Sequence, residues 1–350
     1  MNNFRSVFPF RLCLGAVLCA ALLTGCAGSS DPYGMGTGAQ RFSGAHLCMG
    51  TVFSADLTTT ATDPITDLTK MGNALEQTIS YRIETSEIAA INASAGDPEG
   101  YLLSDELAEI LEKALEISEK SGGAFDPTLG ALTTLWKLDE GAADPEHYLL
   151  PTAAEVEQAR ALCGYEKVRL EGGRIYLPAG MRLDLGAIGK GIYLNRAKLL
   201  LEGSDTRGTI SAGGSILTLG QKGEAPESVP WKIGIINPLD PDTLCGMIEA
   251  RGGMCISTSG DYERYLERDG VRFHHILDPD TGYPVRGPYG SVTILCADGL
   301  LSDALSTACY VIAAEDPDRA IRLARDYDAK ILLIDREGHT AGDLELLKRP

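Results

Sequence analysis

Basic residues are scarce in this chain: 31 Lys and Arg against 49 Asp and Glu give a formal net charge of −18 over 350 residues. A nucleic-acid reader needs a basic footprint, so that role is excluded, while surplus acid suits solubility outside the cell. A membrane span is missing too. The apolar run Leu12 to Leu23 is shorter than the roughly 20 residues that cross a bilayer. None of the nine cysteines forms a Cys-x-x-Cys pair, which removes the usual zinc spacings. There is no Walker A loop, since Gly191 follows Lys190 where that motif needs Ser or Thr. No internal repeat is evident.

What is present begins with a leader. Arg5 and Arg11 precede the short apolar run, and Leu23-Thr24-Gly25-Cys26 follows it. That order reads as a secretory signal over residues 1–25. It ends in a bacterial lipobox with Cys26 as the lipidated residue. Residues 26–43, rich in Gly, Ser, Pro and Thr, read as a flexible tether, and 44–350 as the folded part. Cys13 and Cys19 leave with the signal. The remaining six, Cys48, Cys163, Cys245, Cys255, Cys296 and Cys309, read as small buried thiols, and their spacing names no disulfide partners.

Apolar periodicity and turn residues predict strands at His46–Leu57, Gly208–Ser211, Ile216–Leu219, Trp231–Ile236, Met254–Ser257, Arg272–Leu277, Ser291–Leu295 and Lys330–Ile334. Helices are expected at Ile65–Tyr81, from Ser104 to Lys120, after the Thr152-x-x-Glu155 capping box, up to Leu201, over Leu301–Ala313, and after Asp316-Pro317. A hairpin is expected around Gly172-Gly173. Irregular alternation of strands and helices argues for an α+β (mixed α/β) fold.

One segment carries chemistry before any comparison. Leu183 to Gly191 reads Leu-Asp-Leu-Gly-Ala-Ile-Gly-Lys-Gly. Its glycines let backbone approach a ligand, and Lys190, opening a helix, can neutralise a phosphate. Further segments look too specific for packing: Met49-Gly50-Thr51 in the first strand, Gly122 to Thr128, Ser211 to Gly214, Ser257 to Tyr262, His274 to Pro284, and Ala297 to Thr307.

In this order the segments resemble the ApbE family, the FAD:protein FMN transferases, from about Met49 to Thr307. The resemblance implies an ApbE-like, T-fold-like single globular unit of two intimate lobes. It also implies Mg²⁺-dependent cleavage of FAD, transfer of FMN to a Thr or Ser hydroxyl of a target protein, and release of AMP. Flavin-carrying subunits of membrane redox complexes are the implied acceptors. Asp303 and Thr307, four apart on a predicted helix, offer hard oxygens suited to Mg²⁺, and the resemblance adds the Ala187 carbonyl. By the same carry-over Met49, Tyr81, Ala124, Phe125, Asp126, Asp184, Lys190, His275 and Ile276 are FAD contacts. His275, or less readily Asp303, is the catalytic base. The family often has Asp where this chain has Asn195. Hydrolysis of FAD to FMN and AMP, or non-catalytic flavin binding by a surface lipoprotein, are the alternatives. The lipobox implies anchoring outside a bacterial cytoplasmic membrane or in a periplasm.

Overall fold

The computed structural model describes residues 38–222 and 229–348. The signal, Cys26 and most of the expected tether lie outside them. The chain begins with β1 (Gln40–Cys48) and β2 (Thr51–Thr59), then α1 (Pro64–Ile79), α2 (Glu87–Ala93) and β3 (Tyr101–Leu102). Next come α3 (Asp105–Ser121), α4 (Gly130–Trp136), α5 (Leu138–Ala143), α6 (Ala153–Ala161), β4 (Arg169–Glu171), β5 (Arg174–Tyr176) and α7 (Gly189–Leu200). The strands β6 (Thr206–Ala212), β7 (Ser215–Leu219), β8 (Trp231–Asn237), β9 (Asp240–Ala250), β10 (Cys255–Gly260), β11 (Tyr265–Arg268), β12 (Val271–His274) and β13 (Tyr289–Cys296) follow. The last elements are α8 (Gly299–Ala313), α9 (Pro317–Asp326), β14 (Lys330–Asp335) and β15 (Thr340–Gly342).

Eight strands form the main sheet in the order β1-β2-β6-β7-β10-β13-β14-β15, and each neighbouring pair is antiparallel. Strand alternation separates its two faces. Leu217, Cys255 and Cys296 enter the large core shared with α1, α3, α7 and α8. Ile216, Ile256 and Leu295 point the other way, against Trp231, Ile233 and Ile248 of the β8–β9 hairpin. A smaller apolar cluster, including Leu132, Trp136, Val156 and Leu266, joins α4, α5 and α6 to β11. This is the α+β arrangement the sequence suggests.

Three expectations change. The stretch His46–Leu57 is two strands, because Met49 (φ 50°) and Gly50 (φ 69°) both take left-handed backbone and close a two-residue hairpin. Met49 can hold that geometry because its amide donates to Glu76 Oε1 at 3.0 Å. Strand β1 starts at Gln40, inside the expected tether, and pairs with β2 along its whole length. The strand expected to reach Leu277 stops at His274.

Candidate active site

The site is built where two helices start against each other. A Cβ on Gly191 would lie 2.0 Å from the Gly299 carbonyl oxygen, and one on Gly299 would lie 2.3 Å from that of Gly191. Only paired glycines allow α7 and α8 to cross this closely. Asn195 locks the crossing: its side-chain amide donates to Asp298 Oδ1 at 3.0 Å, and its oxygen accepts from Gly299 N at 2.6 Å. A carboxylate at 195 could not donate to Asp298, so the departure from the common Asp has a structural use here.

The crossing delivers Asp303 to the first turn of α7. Its buried carboxylate accepts from Gly191 N at 2.6 Å, from Ser215 Oγ at 2.8 Å and from Ser257 Oγ at 2.5 Å. Ser215 is placed by the Gly213-Gly214 turn between β6 and β7, both glycines having positive φ. Thr307, one turn on, lies 3.3 Å from Ser259 Oγ.

The Gly191 amide is one of the first-turn donors of α7 that have no acceptor within the helix, and Asp303 satisfies it from outside. The carboxylate has about four acceptor positions, and three hydrogen bonds leave one. A carboxylate, a hydroxyl and a main-chain carbonyl are hard oxygen donors, so these residues fit Mg²⁺.

Helix α7 also lacks a side-chain N-cap, whereas α1, α2, α3, α6, α8 and α9 each have one. Asp303 takes the Gly191 amide of the first turn of α7, and Lys190 in the same turn brings a positive charge that suits an anion. Met49, at the hairpin tip, leans over the same turn: a Cβ on Gly189 would come 3.3 Å from its sulfur.

Asp184 stands upstream in this segment. Its amide donates to Pro127 O at 2.8 Å, and its Oδ1 accepts from Gly186 N at 2.8 Å. Burial pushes its pKa up, partly opposed by that amide. Tyr81 lies close enough for burial and the Asp184 charge together to raise its phenol.

Beside Tyr81, Arg82 donates to the phenol oxygen at 3.2 Å and to Asp139 Oδ2 at 2.5 Å. Asp139 meets Arg264 at 3.6 Å. Burial works against the Asp139 charge, but the Arg82 hydrogen bond and the two guanidiniums hold its pKa below the usual range.

The two adjacent histidines differ. His274 is satisfied: Nε2 lies 2.7 Å from the Val285 carbonyl, and Nδ1 accepts from Ile276 N at 3.4 Å. His275 Nδ1 is buried without a protein partner. Burial, then the charges of Arg264, His274 and Lys190, pull the His275 pKa down to about 3. Its ring is therefore neutral at pH 7. Glu263, whose carboxyl burial raises, feels Lys190, Arg264 and Asp303.

The structure thus gathers Met49, Tyr81, Asp184, Lys190, His275, Asp303 and Thr307, with Ala187 on the approach to α7. The side chains of the other expected FAD contacts are engaged within the protein. Phe125 and Ile276 bury their side chains in the large core, leaving only backbone for a ligand. Ala124 packs against that core. The Asp126 carboxylate is consumed by Thr128 N and Oγ1 at 2.7 and 2.6 Å and by Tyr165 N at 3.1 Å. It shapes the loop that carries Pro127 to Asp184.

Arg82, Asp139, Ser215, Glu263 and Arg264 were not singled out in the sequence. Ser215 follows the flagged Gly213-Gly214, and Arg82 follows Tyr81. Asp139 gave no local signal. The Asp335, Glu337 and His339 side chains also gather closely, but Asp335 Oδ1 closes its own turn with the Glu337 and His339 amides and Oδ2 lies 3.0 Å from His339 Nδ1.

Comparison with known proteins agrees with this geometry. The model of the ApbE family matches residues 49–332. An FAD:protein FMN transferase of Treponema pallidum is 34% identical over 275 residues, covering 75% of this chain and 74% of that protein. The crystal structure of the ApbE protein of Thermotoga maritima superposes with a TM-score of 0.78 at 32% identity, covering 87% of this chain and 97% of that one. The flavin transferase ApbE of Vibrio cholerae gives 0.74 at 25% identity, covering 88% and 97%.

Proposed function

The chain belongs to the ApbE family, and from that premise we propose that it is an FAD:protein FMN transferase dependent on Mg²⁺. The reaction cleaves the FAD diphosphate, joins FMN through a phosphoester to a Thr or Ser of a target protein, and releases AMP. The observation that carries the reading is the Gly191–Asp303 hydrogen bond. It holds the lysine-bearing helix start and the acidic helix α8 at one place.

Ala187, Asp303 and Thr307 would hold the cation. When bound, Mg²⁺ supplies charge neutralisation on the diphosphate and on departing AMP. The chain's own residues do the rest. Lys190, at the N-terminus of α7, binds phosphate oxygens. Tyr81 and Met49 bound the flavin, and Arg82 fixes Tyr81. Neutral His275 takes the proton of the acceptor hydroxyl. Burial is the main cause of the low His275 pKa, and an anionic ligand beside Lys190 and Arg264 would offset the smaller part that comes from their charges.

Lipidation at Cys26 would tether the enzyme to the outer side of a bacterial cytoplasmic membrane or within a periplasm. There it would meet flavin-accepting subunits of membrane redox complexes. Among the described residues no helix is long and apolar enough to cross a membrane, so the anchor is assigned to the leader on its motif alone.

The test is incubation with FAD, Mg²⁺ and an acceptor domain, read by mass spectrometry. A gain on the acceptor equal to an FMN phosphoester supports transfer. Free FMN plus AMP without labelling would make the enzyme a pyrophosphatase, and unchanged FAD would make it a binding protein.

A further inference from the structure

Cys48, Cys163, Cys245, Cys255, Cys296 and Cys309 are free thiols in the structure. Two of them face each other. Cys255 opens β10, Cys296 closes β13, and the two are register partners in the antiparallel ladder. Both are buried in the large core, while the next pair, Ile256 and Leu295, turns to the opposite face. Opposed residues in such a ladder have Cα atoms about 4.5 or 5.5 Å apart, depending on the pair type. Both spacings lie inside the roughly 4.4–6.8 Å window of a disulfide. The pair also sits where the ladder ends. The chain turns at Gly253 just before Cys255 and leaves for α8 just after Cys296. On the β13 side no ladder pair lies beyond Cys255 and Cys296, while on its other side Cys255 stays paired with Leu217 of β7.

We propose that Cys255 and Cys296 form a cross-strand disulfide in the oxidised protein. The oxidant is a small-molecule disulfide. One cysteine thiolate attacks it and expels a first thiol; the second cysteine thiolate attacks the resulting mixed disulfide and expels the next. Two cysteine protons and two electrons leave with the two released thiols.

The exchange belongs to the folding chain. Once α8 covers the strands, burial pushes both thiols up to about 12, and the reactive thiolate becomes scarce. The bond would tie β10 to the strand that leads into Asp298, the N-cap of α8. Export, as proposed above, supplies the oxidising compartment; the pairing itself does not depend on it.

The experiment unfolds and reduces the full chain, refolds it with oxidised glutathione, alkylates it in denaturant and maps the peptides. The expected result is a Cys255–Cys296 linkage with Cys48, Cys163, Cys245 and Cys309 alkylated. The melting temperature should exceed that of protein refolded under reducing conditions by about 5–10 °C. In Cys296→Ser, and in Cys255→Ala should the buried hydroxyl impair folding, that difference should vanish. Alkylation of both cysteines in the refolded wild type, or linkage of either to a different cysteine, would overturn the assignment whatever the variants do.

Discussion

The two walls of the site are built on different physics. The α7–α8 wall is buried, and its groups meet at 2.5–3.0 Å: Asp303 with Gly191, Ser215 and Ser257, and Asn195 with Asp298 and Gly299. The Tyr81 wall is held by half-exposed charges, with Arg82 and Arg264 sharing Asp139. Water screens the second and is shut out of the first. The buried wall can fix a cation and a diphosphate to a fraction of an ångström, while the charged wall can yield as a flavin enters.

Substitutions should expose this difference. The largest effect is expected from Asp303→Ala: Mg²⁺-dependent turnover should fall by about 10²–10³-fold while FAD binding changes less. Wild-type rates at ordinary Mg²⁺, measured by AMP release, would remove Asp303 from the metal site. Gly191→Ala comes next. Its Cβ has no room against Gly299, so α7 should shift, with a loss of about 10²-fold in rate and about 1–3 kcal/mol in stability. Denaturant titration beside kinetics checks both, and an unaffected enzyme would show that the helix crossing does not set the site.

On the charged wall, Asp139→Asn should raise KM for FAD only about two- to five-fold, because exposed ion pairs are worth about 1 kcal/mol or less. Raising salt on the wild type should imitate it. A loss as large as that of Asp303→Ala would mean that the walls are not different in kind.

A further effect concerns pH. The His275 pKa lies at about 3 in the folded protein, below the ordinary 6.5. Below pH 6.5 the unfolded chain takes up a proton that the folded one refuses. This contribution to stability is therefore full above that pH and falls away toward pH 3. His275→Gln should flatten the decline in unfolding free energy between pH 7 and pH 5. A decline identical to that of the wild type would show that the ring is not held neutral.

The same contrast explains what could be read in advance. Asp303, Thr307 and Lys190 stand in local patterns, a four-residue helical step and a lysine among glycines, so their place in the fold was legible. Asp139 reaches Arg82 across 57 residues, and no periodicity reports such a contact. Strands and helices with caps or clear alternation appeared near their expected places, as at Thr152 and Asp316. The hairpin tip was missed because Met49 adopts a backbone that its residue type rarely takes. Phe125 and Ile276 belong to the flagged stretches, yet a stretch does not say which of its side chains turn inward.

The Asn195 amide has one more consequence. Slow hydrolysis to the acid would set a new negative charge against Asp298 and delete the amide donor between them. An aged preparation would then carry a subpopulation with a loosened α7–α8 junction. Chemical wear at one side chain would register as a drift in the Asp303 site that the junction holds in place.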